Sequence, residues 1–264
     1  MLLFRRELKR NFTGFIIWII SLVFLIFITM SMFPSMAKNG SSMQQIINQM
    51  PKSIIKAFNM DKVSFTSILG YYSSQIGILL VLSVSIYAML MGAGAISKEL
   101  DEQTIEFLQS KPVTRTSVLT QKLLYVLTYI ASINVILFLI TFLSFEIFKS
   151  VSYSINILLL IHVGFFLIEI SFASIGVLIS LFMKKKNAAT PLSLWFVIGM
   201  YFIYTLSGIS DKLKFLKYAT LFKYADSVDI ITDSRLNLIY VLVLLLVCAI
   251  SIALSYAVYR KKDL

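Results

Sequence analysis

Glu169 and His162 are the side chains best placed for chemistry inside an apolar stretch. Glu169 is the only carboxylate near the middle of such a run, and His162 stands seven positions before it. Seven residues make nearly two helical turns, so both fall close to one helix face. An acid at the centre of a membrane-crossing helix costs about 2.5–3.5 kcal/mol on insertion scales, and such groups face protein or a cavity. Two uses fit that placement. Either Glu169 and His162 line a polar, proton- or cation-sensitive point on a substrate route, or Glu169 makes an interhelical hydrogen bond, to Asn134 or a serine, that fixes packing. Gly164, Ser171, Ser174 and Gly176 on the same run suit close helix contact.

Several other chemistries lack their residues. One histidine and one cysteine cannot build a His/Cys metal cluster within one chain. H-E-x-x-H and G-x-S-x-G do not occur, which leaves an intramembrane enzyme without a recognisable metal site or nucleophile. The phosphate-cradling G-x-x-x-x-G-K-[ST] is also missing: in "GAGAISKE" Lys98 is followed by Glu99, and it reads as a basic flank closing an apolar run. Cys248 lies inside the last apolar run and reads as a buried small hydrophobe. The chain is expected to bind no cofactor itself.

The other candidate is a polar island, "ISKELDEQTIEFLQSKPVTRTSVLTQK", with eight charged side chains between Ile96 and Lys122. Helical spacing sets Leu100, Thr104 and Leu108, with Ile105 and Phe107 beside them, against Glu102, Glu106 and Gln109. Glu99, Asp101 and Glu102 gather at the N-terminal end, where the helix dipole favours acids. Pro112 then stops the helix at Lys111. An ordinary connection between spans needs only a few residues and no alternation of apolar and acidic faces. The spacing therefore predicts a short amphipathic helix over 98–111 that docks a partner protein, with apolar anchors and with Lys111 and Arg115 setting register.

The elements that must position these residues are membrane spans. The chain of 264 residues is 58% hydrophobic and only 14% charged, with mean hydropathy +0.87, whereas soluble domains carry about 25% charged residues. Apolar runs long enough to cross about 30 Å of hydrocarbon occur at Phe12–Phe33, Gln75–Ile96, Leu123–Phe145, Ile155–Met183, Pro191–Ile209 and Leu236–Tyr259. The expected fold is an all-α membrane protein of six transmembrane helices in a single domain, 1–264. The first run is too long for a signal-peptide core and reads as a retained span.

Net charge is +11, with the basic residues mainly at span ends, so they orient the chain and do not call for nucleic acid. With both termini cytoplasmic, the inner segments 1–12, 98–122, 184–188 and 260–264 hold 14 Lys/Arg in 47 residues. The outer segments 34–70, 149–153 and 209–236 hold 10 in 70. "MLLFRRELKRNF" is read as an elbow helix over 1–11 lying in the inner headgroup layer, or as a plain basic flank. Ile46, Ile47, Met50, Ile54, Ile55 and Phe58 predict a short amphipathic helix between spans one and two, interrupted at Pro51. Residues 209–236, with Leu213, Leu216, Leu221 and Phe222 among Lys212, Lys214, Lys217 and Lys223, predict another between spans five and six, and both segments are expected to rest on the outer leaflet or to cap the bundle. Pro34 closes the first span and Pro191 is expected to open the fifth helix.

Glu99, Thr104, Glu106, Leu108, Pro112, Arg115 and Lys122 resemble the pattern between the second and third spans of type-2 ABC exporter permeases: E, then T-x-E-x-L, then P-x-x-R, then K before the next span. Gln103 stands where that family usually has Gly, which implies a continuous helix where others bend. "LFKYADSVDI" is similar to the aromatic-rich stretch the family often carries before its last span.

The resemblance, which covers the whole chain in layout, implies a permease subunit whose coupling helix, 98–111, docks on a separate ATPase. The contact set would be Glu99, Leu100, Asp101, Glu102, Thr104, Ile105, Glu106, Leu108, Pro112 and Arg115, with Lys184 and Lys185 from the second inner loop, 184–188. It further implies two ATPase copies carrying ATP and Mg, a second membrane subunit, and a bacterial plasma membrane. The cargo would be amphipathic or hydrophobic: a peptide, an antibiotic or a lipid. An ion-coupled secondary transporter would show repeated halves or Gly/Pro-broken spans, neither evident here. A sensor or immunity protein that binds without transporting is the remaining alternative.

Overall fold

The computed structural model describes residues 2–39, 49–51, 54–55, 62–101, 114–149, 152–183 and 186–261, and every element among them is helical. Six of these helices are long and apolar enough to cross a membrane: Leu3–Lys38, Ile68–Lys98, Arg115–Phe148, Ile155–Ser180, Ala188–Ile209 and Leu238–Lys261. They are numbered below as the first to sixth spans. Each is built from Leu, Ile, Phe and Val, whose backbone polar groups are satisfied within the helix, as hydrocarbon requires.

The second and fourth spans form the centre, and the first, fifth and sixth expose most of their surface. Gly92 and Gly176 explain why the central pair packs so closely. A Cβ at Gly92 would lie 2.2 Å from the Ala173 carbonyl oxygen, and one at Gly176 would lie 2.5 Å from that of Met89. Without side chains the two backbones touch directly, the arrangement that small residues permit between membrane helices. Hydroxyls then pin the other spans to this pair: Tyr125 donates to the Met91 carbonyl (3.3 Å), Tyr71 to that of Thr29 (3.0 Å) and Ser171 to that of Leu244 (3.2 Å).

Several expectations are corrected. Residues 2–11 do not form a separate elbow; they continue into the first span as one helix, Leu2–Ser31. No glycine or proline lies in 2–11, and Glu7 is drawn into the bundle by a partner on the third span. Pro191 does not open the fifth helix but sits inside Lys186–Ile209, where it gives up one backbone hydrogen bond near the helix start.

The 209–236 segment is three short pieces, two 3-10 helices at Asp211–Ala219 and Leu221–Ala225 and an α-helix at Ser227–Asp233. Of the two expected placements, on the leaflet or capping the bundle, it takes the second. Leu221, Phe222, Ala225 and Ile230 are buried in the main core, with Phe222 against Phe172 and Tyr201, and Gly164 leaves room for Ala225 and Ile230. The segment plugs that end of the bundle. Of the expected helix between the first two spans, Ile54 and Ile55 are helical, while 40–48, 52–53 and 56–61 lie outside the described residues.

Candidate functional site

The end of the bundle that holds the polar island is framed by two rigid helices. The second span runs on as helix to Asp101, beyond the Ile96 expected, and the third begins at Arg115, capped by the Thr114 hydroxyl, which accepts from the Ser117 N–H at 3.3 Å. Asp101 is exposed at one helix end and Arg115 is half-buried at the other. Glu102, Thr104, Ile105, Glu106, Leu108 and Pro112 lie outside the described residues, as do Lys184 and Lys185; Glu99 and Leu100 are helical, and their side chains are outside the description. Beneath the island a small core of Ala95, Ile96, Val118, Leu119, Val177, Leu181 and Tyr259 ties the ends of the second, third, fourth and sixth spans together.

Beside that core is a buried ion pair that sequence reasoning missed. Lys122 Nζ lies 2.8 Å from Glu7 Oε1, and both side chains are almost wholly buried. Arg10 approaches the same oxygen at 3.4 Å, and the Asn11 amide donates to Glu7 Oε2 at 3.2 Å. The Tyr129 hydroxyl donates to the Leu8 carbonyl, and the Phe4 N–H to Gln121 Oε1 at 3.3 Å. Removing one partner of a buried pair leaves an uncompensated charge, so this contact locks the start of the first helix to the helix that follows the island.

Glu169 and His162 share the buried face of the fourth span, yet each meets a different neighbour. The Asn134 side-chain amide, on the third span, donates to Glu169 and also to the Ile130 carbonyl at 2.9 Å. The expected interhelical bond is therefore made. His162 Nε2 lies 3.1 Å from the Tyr72 hydroxyl of the second span, with Phe138 and Phe165 packed around the imidazole. Tyr72 is fully buried and stands immediately before a π-helical turn, Ser73–Gly77, that interrupts the second span. Such turns in an α-helix are uncommon and collect at functional sites.

At the opposite end of the bundle a second charged cluster holds the plug. Lys223 pairs with Asp229, and Lys62 reaches Asp229 Oδ1 at 3.2 Å. Tyr204 donates to Asp226, whose other oxygen accepts from the Val228 N–H at 3.0 Å. Burial, then the charge of Asp229, pushes the Asp226 carboxyl above its ordinary value. Burial also acts to raise Asp229, but the hydrogen bond and charge of Lys223, with Lys62, hold it below the usual range. For Lys223, burial acts downward and is outweighed by Asp229, so the ammonium is raised. The sequence signal for this site was Asp226 followed by Ser227 and Val228, a helix N-cap.

Six apolar helices, two of them a tightly packed central pair, with a polar segment joining spans two and three, define a multi-pass membrane protein. The family model described as ABC-2 family transporter protein matches residues 1–264, and the chain belongs to that family. It is thus the membrane permease component of an ABC transporter, a family whose members are transport components and which implies an ATPase partner. The comparison with curated proteins found no match.

Proposed function

We propose that this chain is one half of the translocation path of an ATP-driven exporter and that 98–111 is the coupling helix gripped by a separate ATPase. The observation that carries the reading is the frame around that segment: two long helices, Ile78–Asp101 and Arg115–Phe148, deliver it and receive it; the small core braces both, and Glu7–Lys122 braces the second of them. A segment held this way acts as a lever. Closure of two ATPases on ATP and Mg would tilt the second and third spans about the Gly92–Gly176 contact and bias the pathway outward.

The assembly has two ATPase copies and a second membrane subunit, in a bacterial plasma membrane with both termini cytoplasmic, as the charge distribution favours. The cargo is amphipathic or hydrophobic: a peptide, an antibiotic or a lipid. The experiment is reconstitution with the co-purifying ATPase, followed by charge reversal at Glu99, Asp101 or Glu102, or Leu108→Ala. The expected result is ATP hydrolysis that no longer drives transport, with the membrane fold intact. Retained coupling in all four variants overturns the lever, and transport by the chain alone on an ion gradient overturns ATP drive.

A further inference from the structure

A cleft of about 280 Å³ opens between the third, fourth and sixth spans, lined by Leu123, Leu127, Ile170, Val177, Cys248 and Ile252, and almost wholly apolar. Leu124 and Leu127 at its edge are about half exposed, so it opens on the outer surface of the chain. In a bundle that spans a membrane, the medium at that opening is hydrocarbon. We infer that the cleft is a binding site for one acyl chain of an anionic phospholipid, with the headgroup at the end of the sixth span.

Three observations select this occupant. The volume equals about nine water-sized volumes of roughly 30 Å³, room for a run of methylenes and too little for a helix. Next, the polarity is graded along the sixth span: Cys248 and Ile252 line the cleft, Tyr256 follows one turn on, and Arg260 one turn beyond that, a row that winds by about 40° per step. At the Tyr256 level the phenol hydroxyl meets the Thr120 hydroxyl at 2.7 Å, closing the apolar part with a polar rim. One turn beyond, Arg260 is exposed, with exposed Lys261 next to it. Hydrocarbon wall, hydroxyl rim and cation follow the order of acyl chain, ester and phosphate. The depth agrees as well: twelve residues from Cys248 to Arg260 rise about 18 Å, close to one leaflet's share, about 15 Å, of the hydrocarbon core. A second copy of this chain seated there would face no helix-sized groove.

The test uses the whole chain, equilibrated in nanodiscs of phosphatidylcholine with phosphatidylglycerol and then read by native mass spectrometry. Phosphatidylglycerol is expected to be retained in preference to phosphatidylcholine, and Arg260→Gln to weaken that preference by about fivefold, the effect of one basic side chain at the headgroup level. The wild type should retain a phosphatidylglycerol that Ile252→Trp loses. Leu246→Trp, on the lipid-facing side of the same helix, should retain it. Equal retention of the two lipids by the wild type, retention by Ile252→Trp, or a Cys248–Cys248 cross-link between two copies would each overturn the proposal. The wild-type comparison needs no variant and stands if Ile252→Trp fails to fold.

Discussion

Glu7 and Glu169 are the same residue type, both almost fully buried, and they are solved in opposite ways. Glu7, near the island end of the bundle, faces the ammonium of Lys122 and the guanidinium of Arg10. Glu169, in the middle of the fourth span, meets the neutral amide of Asn134. The difference follows from depth. Near the headgroup level a basic residue is cheap to supply, because the positive flank of a span is already there. At the bilayer centre a second charge would add its own insertion cost, so an amide is the less expensive partner. One acid is therefore part of a mechanical brace, and the other is a polar point inside a greasy wall.

The contrast breaks most visibly at the brace. Lys122→Met leaves Glu7 buried with Arg10 and the Asn11 amide as its partners and should destabilise the protein by about 3–5 kcal/mol, while Glu7→Leu with Lys122→Met should recover most of that loss. Thermal unfolding in a mild detergent measures both. If the single change costs no more than the double one, Glu7 and Lys122 are not coupled and the brace is withdrawn.

A smaller effect is expected at mid-span. Asn134→Leu removes the amide from Glu169 and should cost about 1 kcal/mol, the scale of interhelical hydrogen bonds in membranes. Glu169→Gln keeps a polar side chain opposite Asn134 and should be close to neutral in stability. Transport then separates the two uses of this site: unchanged export with Glu169→Ala and His162→Ala removes any role on the substrate route, whereas loss of export at preserved stability establishes one.

Much of this architecture was legible in the chain before folding. Each span is a local property, a run of apolar residues long enough for hydrocarbon, and Gly176 and Asn134 signalled contact because small and amide residues have few other uses there. Helix ends were less legible: Pro191 marks where a helix could start, but Ala188 and Ala189 let the helix begin earlier. Contacts between distant residues were not legible at all. Glu7 and Lys122 are 115 positions apart, and each looked complete in its own neighbourhood, one as an acid in a basic flank and the other as a motif lysine. The plug was only half legible for a related reason. Phe222 among lysines fits an interfacial helix as well as a cap on the bundle, and distant contacts decide between them: Phe172 and Tyr201 receive Phe222, while Gly164 leaves room for Ala225 and Ile230.

The plug supplies a third acid, Asp229, outside the spans and within reach of water, so here the comparison extends to pH. Asp229 has its pKa lowered by Lys223 and Lys62 against the effect of burial, so its contribution to stability is present above the ordinary value of 3.8 and is lost as pH falls through the lowered one. Lys223 is raised, so its contribution is present below 10.5 and is lost as pH rises through the raised value. Asp226 runs the other way: burial raises it, its stabilising share is greatest in acid, and that share fades as pH climbs through the raised value. The clamp should thus be tightest between the two limbs, with Asp226 softening the acid side. Hydrogen exchange of 221–233, corrected for intrinsic pH dependence, should show protection about two- to fivefold higher at neutral pH than at either extreme, the range of partly exposed ion pairs. Lys223→Gln should flatten the alkaline limb and weaken the acid one, leaving the opposite slope of Asp226. An alkaline limb that survives Lys223→Gln would assign the titration to another group and detach the plug from this ion pair.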